Sequence, residues 1–509
     1  MRPILTPAEA SALDRESRER GVTVEFLMEN AGRAVARAAA AVAGGLYGRR
    51  AVAVCGKGNN GGDGLVAARY LARWGLGVTA VLLEDPQSLR EPSATNLRLL
   101  QEVGARIRPA SSLTRELARA DVAIDAVFGT GFRGVPEDIH AEAIEAMNES
   151  GVPVVAVDIP SGVNGETGEI AGEACWAVAT VTFGAAKPGL VFHPGAERCG
   201  LIEVVDIGFP RDLVRSDLLL VERDDVAASW PRRRPEGHKR ASGVVLVLGG
   251  SRGMTGAVRL MASAAYRTGA GLVTVAVPQS ILPVVQEGLT EATFVPLPET
   301  ADGTIAESAL SSLKDRLEGF DAVAIGPGMT TNEETAAFAR SLVRSVPAPV
   351  VVDADALNAF AGQTHELAER ESEAVLTPHA GEFARLAGAS PRDLAEDRIG
   401  MLRKLTAEVR AIVLLKGSPT LVAQPGGEVR VITSGGPVLS TGGTGDVLTG
   451  MITALVGRGL LPVDAATGGA FTHGVAGELV ARELGEGAVA GDVGARIPEA
   501  VAAILEPAP

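Results

Sequence analysis

A chain of 509 residues is too long for one hydrophobic core and predicts two large domains. Hydrophobic residues at 46% with 21% charged exclude a disordered chain, and a net charge of −15 excludes a surface built for nucleic acid or an anionic membrane. The three cysteines, Cys55, Cys175 and Cys199, fit neither a disulfide framework nor a metal site; with no leader pattern and no long apolar run, a cytoplasmic protein is expected.

In chain order, Thr6, Pro7 and Glu9 form a capping box with Pro at the first helical position, so a helix is predicted through Glu19. A second, Ala-rich helix is predicted over residues 26–43. Short apolar runs then alternate with amphipathic segments: strand 49–55, helix 65–74 and strand 78–83, followed by strands at 122–127, 153–157 and 179–183. This β-α-β order predicts one parallel sheet with helices on both faces.

Between residues 210 and 241 the chain turns polar around Pro231-Arg232-Arg233-Arg234-Pro235, a solvated linker rather than a nucleic-acid patch in so acidic a chain. A second series begins at residues 244–248 and continues at 272–277, 322–325, 350–353 and 411–415. The fold class is α/β, with domains expected at residues 1–217 and 222–509.

Residues 56–64 read Gly-Lys-Gly-Asn-Asn-Gly-Gly-Asp-Gly between a strand and a helix. Gly56, Gly58 and Gly61 satisfy G-x-G-x-x-G, which can hold a pyrophosphate but is a weak match alone. A nicotinamide dehydrogenase would place Glu84 on the ribose. Against it, Asn59, Asn60 and Asp63 put polar side chains where such a loop needs small ones. Asp125, Asp158 and Ser161 stand at neighbouring strand ends, where an open parallel sheet forms one crevice. Convergent oxygens there suit a monovalent cation better than a transition metal.

With residues 125–134, 158–162 and Lys187-Pro188-Gly189, this half resembles the NAD(P)H-hydrate epimerases, from the helix holding Met28-Glu29-Asn30-Ala31-Gly32 to about Phe209. The resemblance implies a Rossmann-like fold. It implies that Asn59, Asn60, Gly61, Gly62, Asp63, Gly129, Thr130, Gly131, Phe132, Arg133, Gly134, Val135 and Asp158 bind the hydrated cofactor, and that Asn60, Asp125 and Ser161 bind potassium. The implied reaction interconverts the R and S forms of nicotinamide hydrated at ring carbon 6; Asp158 is the first candidate for the proton transfer and Lys187 the second.

In the second half, Ser440-Thr-Gly-Gly-Thr-Gly-Asp446 precedes a helix, so its amides and dipole should hold phosphate. Asp446 reads as a helix cap or as a base beside a transferring phosphoryl group. Lys416 ends a strand as a phosphate ligand or a surface lysine, and no Walker loop is present. These segments, with Gly249-Gly250-Ser251, Gly326-Pro327-Gly328, Asp353-Ala-Asp-Ala-Leu357 and Thr377-Pro-His-Ala-Gly-Glu382, resemble the ribokinase-like superfamily and, within it, the ADP-dependent NAD(P)H-hydrate dehydratases.

That likeness implies a doubly wound sheet, a hydrate site of Ala257, Gly328, His379 and Asp446, and an adenine-nucleotide site of Lys416, Gly417, Ser418, Pro419, Thr420 and Gly445. Asp446 is the implied catalytic base. ADP is the implied phosphoryl donor with Mg²⁺ on its phosphates, and AMP, phosphate and NADH or NADPH are the products. Arg240 departs from the family, which has Gly after His-Lys. Small-molecule substrates and a homo-oligomer of undefined order are expected. The competing reading is a small-molecule kinase fused to a dehydrogenase or a nucleotide-binding scaffold.

Overall fold

The computed structural model describes residues 1–233 and 235–506; Arg234 of the predicted linker lies outside them. The chain divides into two compact units, Arg2–Ser216 and the chain from Asp217 onward.

In the first unit Thr6 caps the helix Pro7–Glu19: its hydroxyl accepts the Glu9 amide at 3.2 Å and the Glu9 carboxylate accepts the Thr6 amide at 2.7 Å. Seven parallel strands follow in the order Arg106–Pro109, Gly77–Leu82, Arg50–Cys55, Val122–Ala126, Val154–Val157, Ala179–Phe183 and Leu201–Val205. Along Arg50–Cys55, Val52 and Val54 enter one core while Ala51, Ala53 and Cys55 enter the other, the alternation of a strand buried on both faces. The alanine face receives the helices Val24–Val42 and Asn59–Arg73. They approach so closely that a Cβ on Gly32 would lie 2.4 Å from the Val66 Cβ.

In the second unit seven parallel strands run in the order Thr293–Leu297, Leu272–Pro278, Val244–Leu248, Ala322–Ile325, Val350–Val352, Ala374–Leu376 and Ile412–Leu415. The sheet continues beyond these parallel strands. Thr420–Ala423 and Val429–Ile432 pair antiparallel, and Leu218–Leu220 lies parallel beside the latter. Their connections are too short for a parallel crossover, so the chain must reverse. Helix Thr444–Gly457 is buried on nearly every side and packs on helix Thr255–Arg267, with a Cβ at Gly450 only 2.1 Å from the Met261 carbonyl oxygen.

Candidate active sites

In the first unit the strand order reverses between Arg50–Cys55 and Val122–Ala126, and a crevice opens at such a reversal. The predicted glycine loop proves shorter than expected: the helix already begins at Asn59, with Gly58 as its N-cap and no side chain capping it. The first helical amides are therefore available to an anion. Two glycines make this turn possible, since a Cβ would stand 2.4 Å from the Val127 carbonyl at Gly56 and 1.8 Å from the Gly56 carbonyl at Gly61. At Gly58 a Cβ would meet nothing within 4 Å.

The crevice is a cavity of about 670 Å³. Of the predicted ligand residues, Asn59, Asn60, Asp63, Gly129, Thr130, Gly131, Phe132 and Asp158 line it. Gly61 and Gly62 are buried within the helix instead, while Gly134 and Val135 are exposed beyond the cavity wall and Arg133 pairs with Glu166 at 3.1 Å. Asp125 and Ser161 lie beneath the floor. Asp125 accepts the Ser161 amide at 2.7 Å and its hydroxyl at 2.5 Å; the same hydroxyl oxygen accepts the Phe128 amide at 2.9 Å, and Asn60 Nδ2 donates to the Phe128 carbonyl at 2.9 Å. The three predicted cation ligands are thus joined through the backbone of Phe128.

Asp158 adopts a left-handed φ of 65°, a strained conformation for a non-glycine residue. One of its oxygens, Oδ1, takes Thr182 at 2.9 Å, the Phe183 amide at 3.4 Å and Lys187 Nζ at 2.5 Å. Lys187 spends its remaining donors on Thr182 and the Phe183 carbonyl, so it positions Asp158 and has no donor left for a substrate.

Sequence reasoning missed Asp14, Phe128 and His140, which also line this cavity. Asp14 looks like an ordinary exposed helical carboxylate, and nothing in its spacing marks it. Its pKa is raised by loss of surrounding water and then by the Asp158 charge, with Lys187 and Arg18 opposing. Asp63 is held far above the usual carboxylate range by burial, then by Asp158 and Asp14. Glu84, which a dehydrogenase would turn to a ribose, instead meets His140 Nε2 at 2.9 Å.

In the second unit the site is assembled at successive strand ends. Asp353, 1% exposed, follows Val350–Val352 and accepts both Lys416 Nζ and the Thr449 hydroxyl at 2.7 Å. Lys416 follows Ile412–Leu415 and is tied by its amide to the Pro378 carbonyl at 2.9 Å, beside His379. Lys416 is therefore a built-in cation and not a surface residue. A Cβ at Gly445 would stand 3.1 Å from its ammonium, so the glycine leaves that charge accessible at the helix N-terminus.

Asp446 is not the N-cap: Gly443, at φ 92°, holds that position and Asp446 lies in the first turn of Thr444–Gly457. Burial, then the Asp353 charge, raises its pKa to about 7 despite Lys416. His379 serves as a cap, its Nδ1 accepting the Gly381 amide at 3.0 Å and the Glu382 amide at 3.4 Å, while its Nε2 lies 3.4 Å from the Glu382 carboxylate. Gly328, at φ 74°, lies against Met254 just before the helix that carries Ala257, and its carbonyl accepts the Ser251 hydroxyl at 2.8 Å. Sequence reasoning assigned no role to Asp353 and missed His473, 6% exposed, whose pKa is lowered to about 4 by burial and then by Lys416.

No helix among the described residues is long and apolar enough to cross a membrane. Residues 245–499 match the family model described as NAD(P)H-hydrate dehydratase, and residues 24–189 match that of the YjeF-related protein N-terminus. A bifunctional NAD(P)H-hydrate repair enzyme Nnr from Moorella thermoacetica is 43% identical over 504 residues, covering 96% of this chain and 95% of that one. Its counterpart from Thermofilum pendens is 41% identical over 485 residues, covering 94% and 92%. Among solved structures, an ADP/ATP-dependent NAD(P)H-hydrate dehydratase from Bacillus subtilis, co-crystallised with ATP and Mg²⁺, is 28% identical with TM-score 0.50, covering 57% of this chain and all of that one.

Proposed function

The chain belongs to the family of bifunctional NAD(P)H-hydrate repair enzymes, and we propose from that premise how its two sites divide the work. The first unit exchanges the R and S forms of hydrated NADH or NADPH. The second uses ADP to dehydrate the S form to NADH or NADPH, releasing AMP and phosphate.

The observation that carries the dehydratase assignment is the Asp446, Lys416 and Asp353 cluster at a helix N-terminus. Hydroxide is a poor leaving group, so the ring hydroxyl is first phosphorylated. Asp446, with a pKa of about 7, is poised to take its proton near neutral pH. Lys416 and the amides about Gly443, Thr444 and Gly445 offset the charge on the transferring phosphoryl group. Phosphate then departs with the C–O bonding pair, the adjacent ring carbon gives up a proton to water, and the electrons of that C–H bond restore the ring double bond. Gly417, Ser418, Pro419 and Thr420 hold the nucleotide beside Lys416, while Ala257, Gly328 and His379 hold the hydrate. Mg²⁺ bound with ADP would supply charge to screen the phosphates.

In the first unit the buried Asp125 has, among the described residues, only neutral partners: Ser161, the Val127 amide and Cys175. A buried carboxylate without a cation beside it suits a potassium ion, which Asn60, Asp125 and Ser161 would hold and whose charge would steady the floor of the cavity. The cytoplasm, where ADP and reduced cofactors occur and the buried thiols Cys55, Cys175 and Cys199 stay reduced, is the proposed location.

Incubation of the protein with mixed R and S hydrate and ADP, following reduced-nicotinamide absorbance, tests the whole reading. Complete conversion is expected. Conversion that stops at the S share, with spontaneous exchange slow, would remove the epimerase; absence of ADP-dependent recovery would remove the dehydratase.

A further inference from the structure

Four observations in the first cavity bear on how inversion is achieved. Asp158, which lines the cavity, commits Oδ1 to Thr182, Phe183 and Lys187, while among the described residues its Oδ2 takes no hydrogen bond. The Lys187 ammonium has spent all its donors. Asp63, in the helix behind the glycine loop, is shifted toward its protonated form by burial and then by Asp158 and Asp14. Asp14, from the separate helix Pro7–Glu19, opens onto the same cavity, and among the described residues its carboxyl makes no hydrogen bond or ion pair.

We propose that Asp14 is a catalytic residue of the epimerase, the proton-carrying partner of Asp158. The proposal rests on the epimerase reading above and adds the second acid-base group that inversion requires. The hydroxyl to be inverted sits on a carbon bonded to the ring nitrogen. Its C–O bond breaks as one carboxyl supplies a proton; water leaves, and the nitrogen lone pair closes a C=N bond. Water then adds to the opposite ring face, a new C–O bond forms, the C=N electrons return to nitrogen, and the other carboxylate takes the released proton. No oxidant or reductant is consumed, and the reverse passage restores the starting protonation of the pair.

Such a pair works when its two environments differ. Asp158 is fastened to a cation, whereas Asp14 is shifted toward its protonated form. The charged groups that set this balance are Arg18 on Asp14's own helix, Asp158 and Lys187 at the strand end, and Asp63 on the glycine-loop helix.

The test uses the full chain without ADP, with isolated R hydrate of NADH, following appearance of the S form by chromatography across about pH 5–9. Asp14→Asn is expected to slow exchange at least ~100-fold with KM changed less than ~3-fold, and to remove one limb of the pH profile; Asp14→Glu restores part of the rate. Exchange by Asp14→Asn within ~3-fold of the unaltered protein would overturn the proposal. So would a slowed variant whose residual activity keeps the original pH profile and is not rescued by Glu, because that is the signature of lost structure. If the unaltered chain does not accelerate exchange above buffer, the epimerase reading itself fails, an outcome distinct from either result with the variants.

Discussion

At Asp446 one carboxyl links stability to catalysis. Its ordinary value of 3.8 is raised to about 7 in the folded chain, so dehydration should gain rate as pH rises through about 7 and the base loses its proton. kcat/KM for the S hydrate with saturating ADP measures this, and Asp446→Asn should lower it by ~10²–10⁴-fold. The same shift costs stability. A carboxyl that is harder to ionise in the folded state carries no penalty below its unfolded value; the penalty grows above that value and is complete once pH exceeds the folded one. At pH 8, Asp446→Asn should therefore stabilise the second unit by roughly 2 kcal/mol, discounted for a half-buried group, read as a higher urea midpoint. Asp125 gives a second test at this scale. Replacing potassium by a larger organic cation should slow epimer exchange, and Asp125→Asn should remove that dependence, as chromatographic exchange rates would show.

Among the elements, the glycine loop and its helix show why a motif is not a set of equal letters. Gly58 has open space around its missing Cβ, whereas Gly61 would drive one to 1.8 Å from the Gly56 carbonyl. Gly58→Ala should leave the unfolding midpoint nearly unchanged, and Gly61→Ala should destabilise the first unit by about 1–3 kcal/mol and abolish exchange, both measurable by thermal melting and rate. Much of this architecture was legible in the chain: the Thr6 capping box, the apolar strand runs and the polar strand ends of two parallel sheets are all local signals. The antiparallel pair Thr420–Ala423 and Val429–Ile432 was not, because short strands beside a predicted ligand loop carry little periodicity. Asp446 was expected at a helix start, but its place inside the first turn depends on the left-handed Gly443. The functional setting of Asp14 is illegible for another reason. Its neighbours Asp158 and Lys187 are remote in sequence, and only folding brings them together.

For the whole molecule, the proposed ligands of the first reaction end at Ser161, before the division at Ser216, and those of the second begin at Ala257. A hydrate that has been inverted is a small soluble molecule, so the fusion need not be continuous for the two reactions to cooperate. Residues 217–509 alone, given ADP and mixed hydrate, should recover reduced cofactor only from the S share. Adding residues 1–216 in trans should convert the remainder at a rate proportional to the amount added, followed by absorbance. Persistence of the R form in the mixture, while the continuous chain consumes it, would mean that one unit depends on the other for folding or for substrate delivery, and the division into independent sites would be wrong.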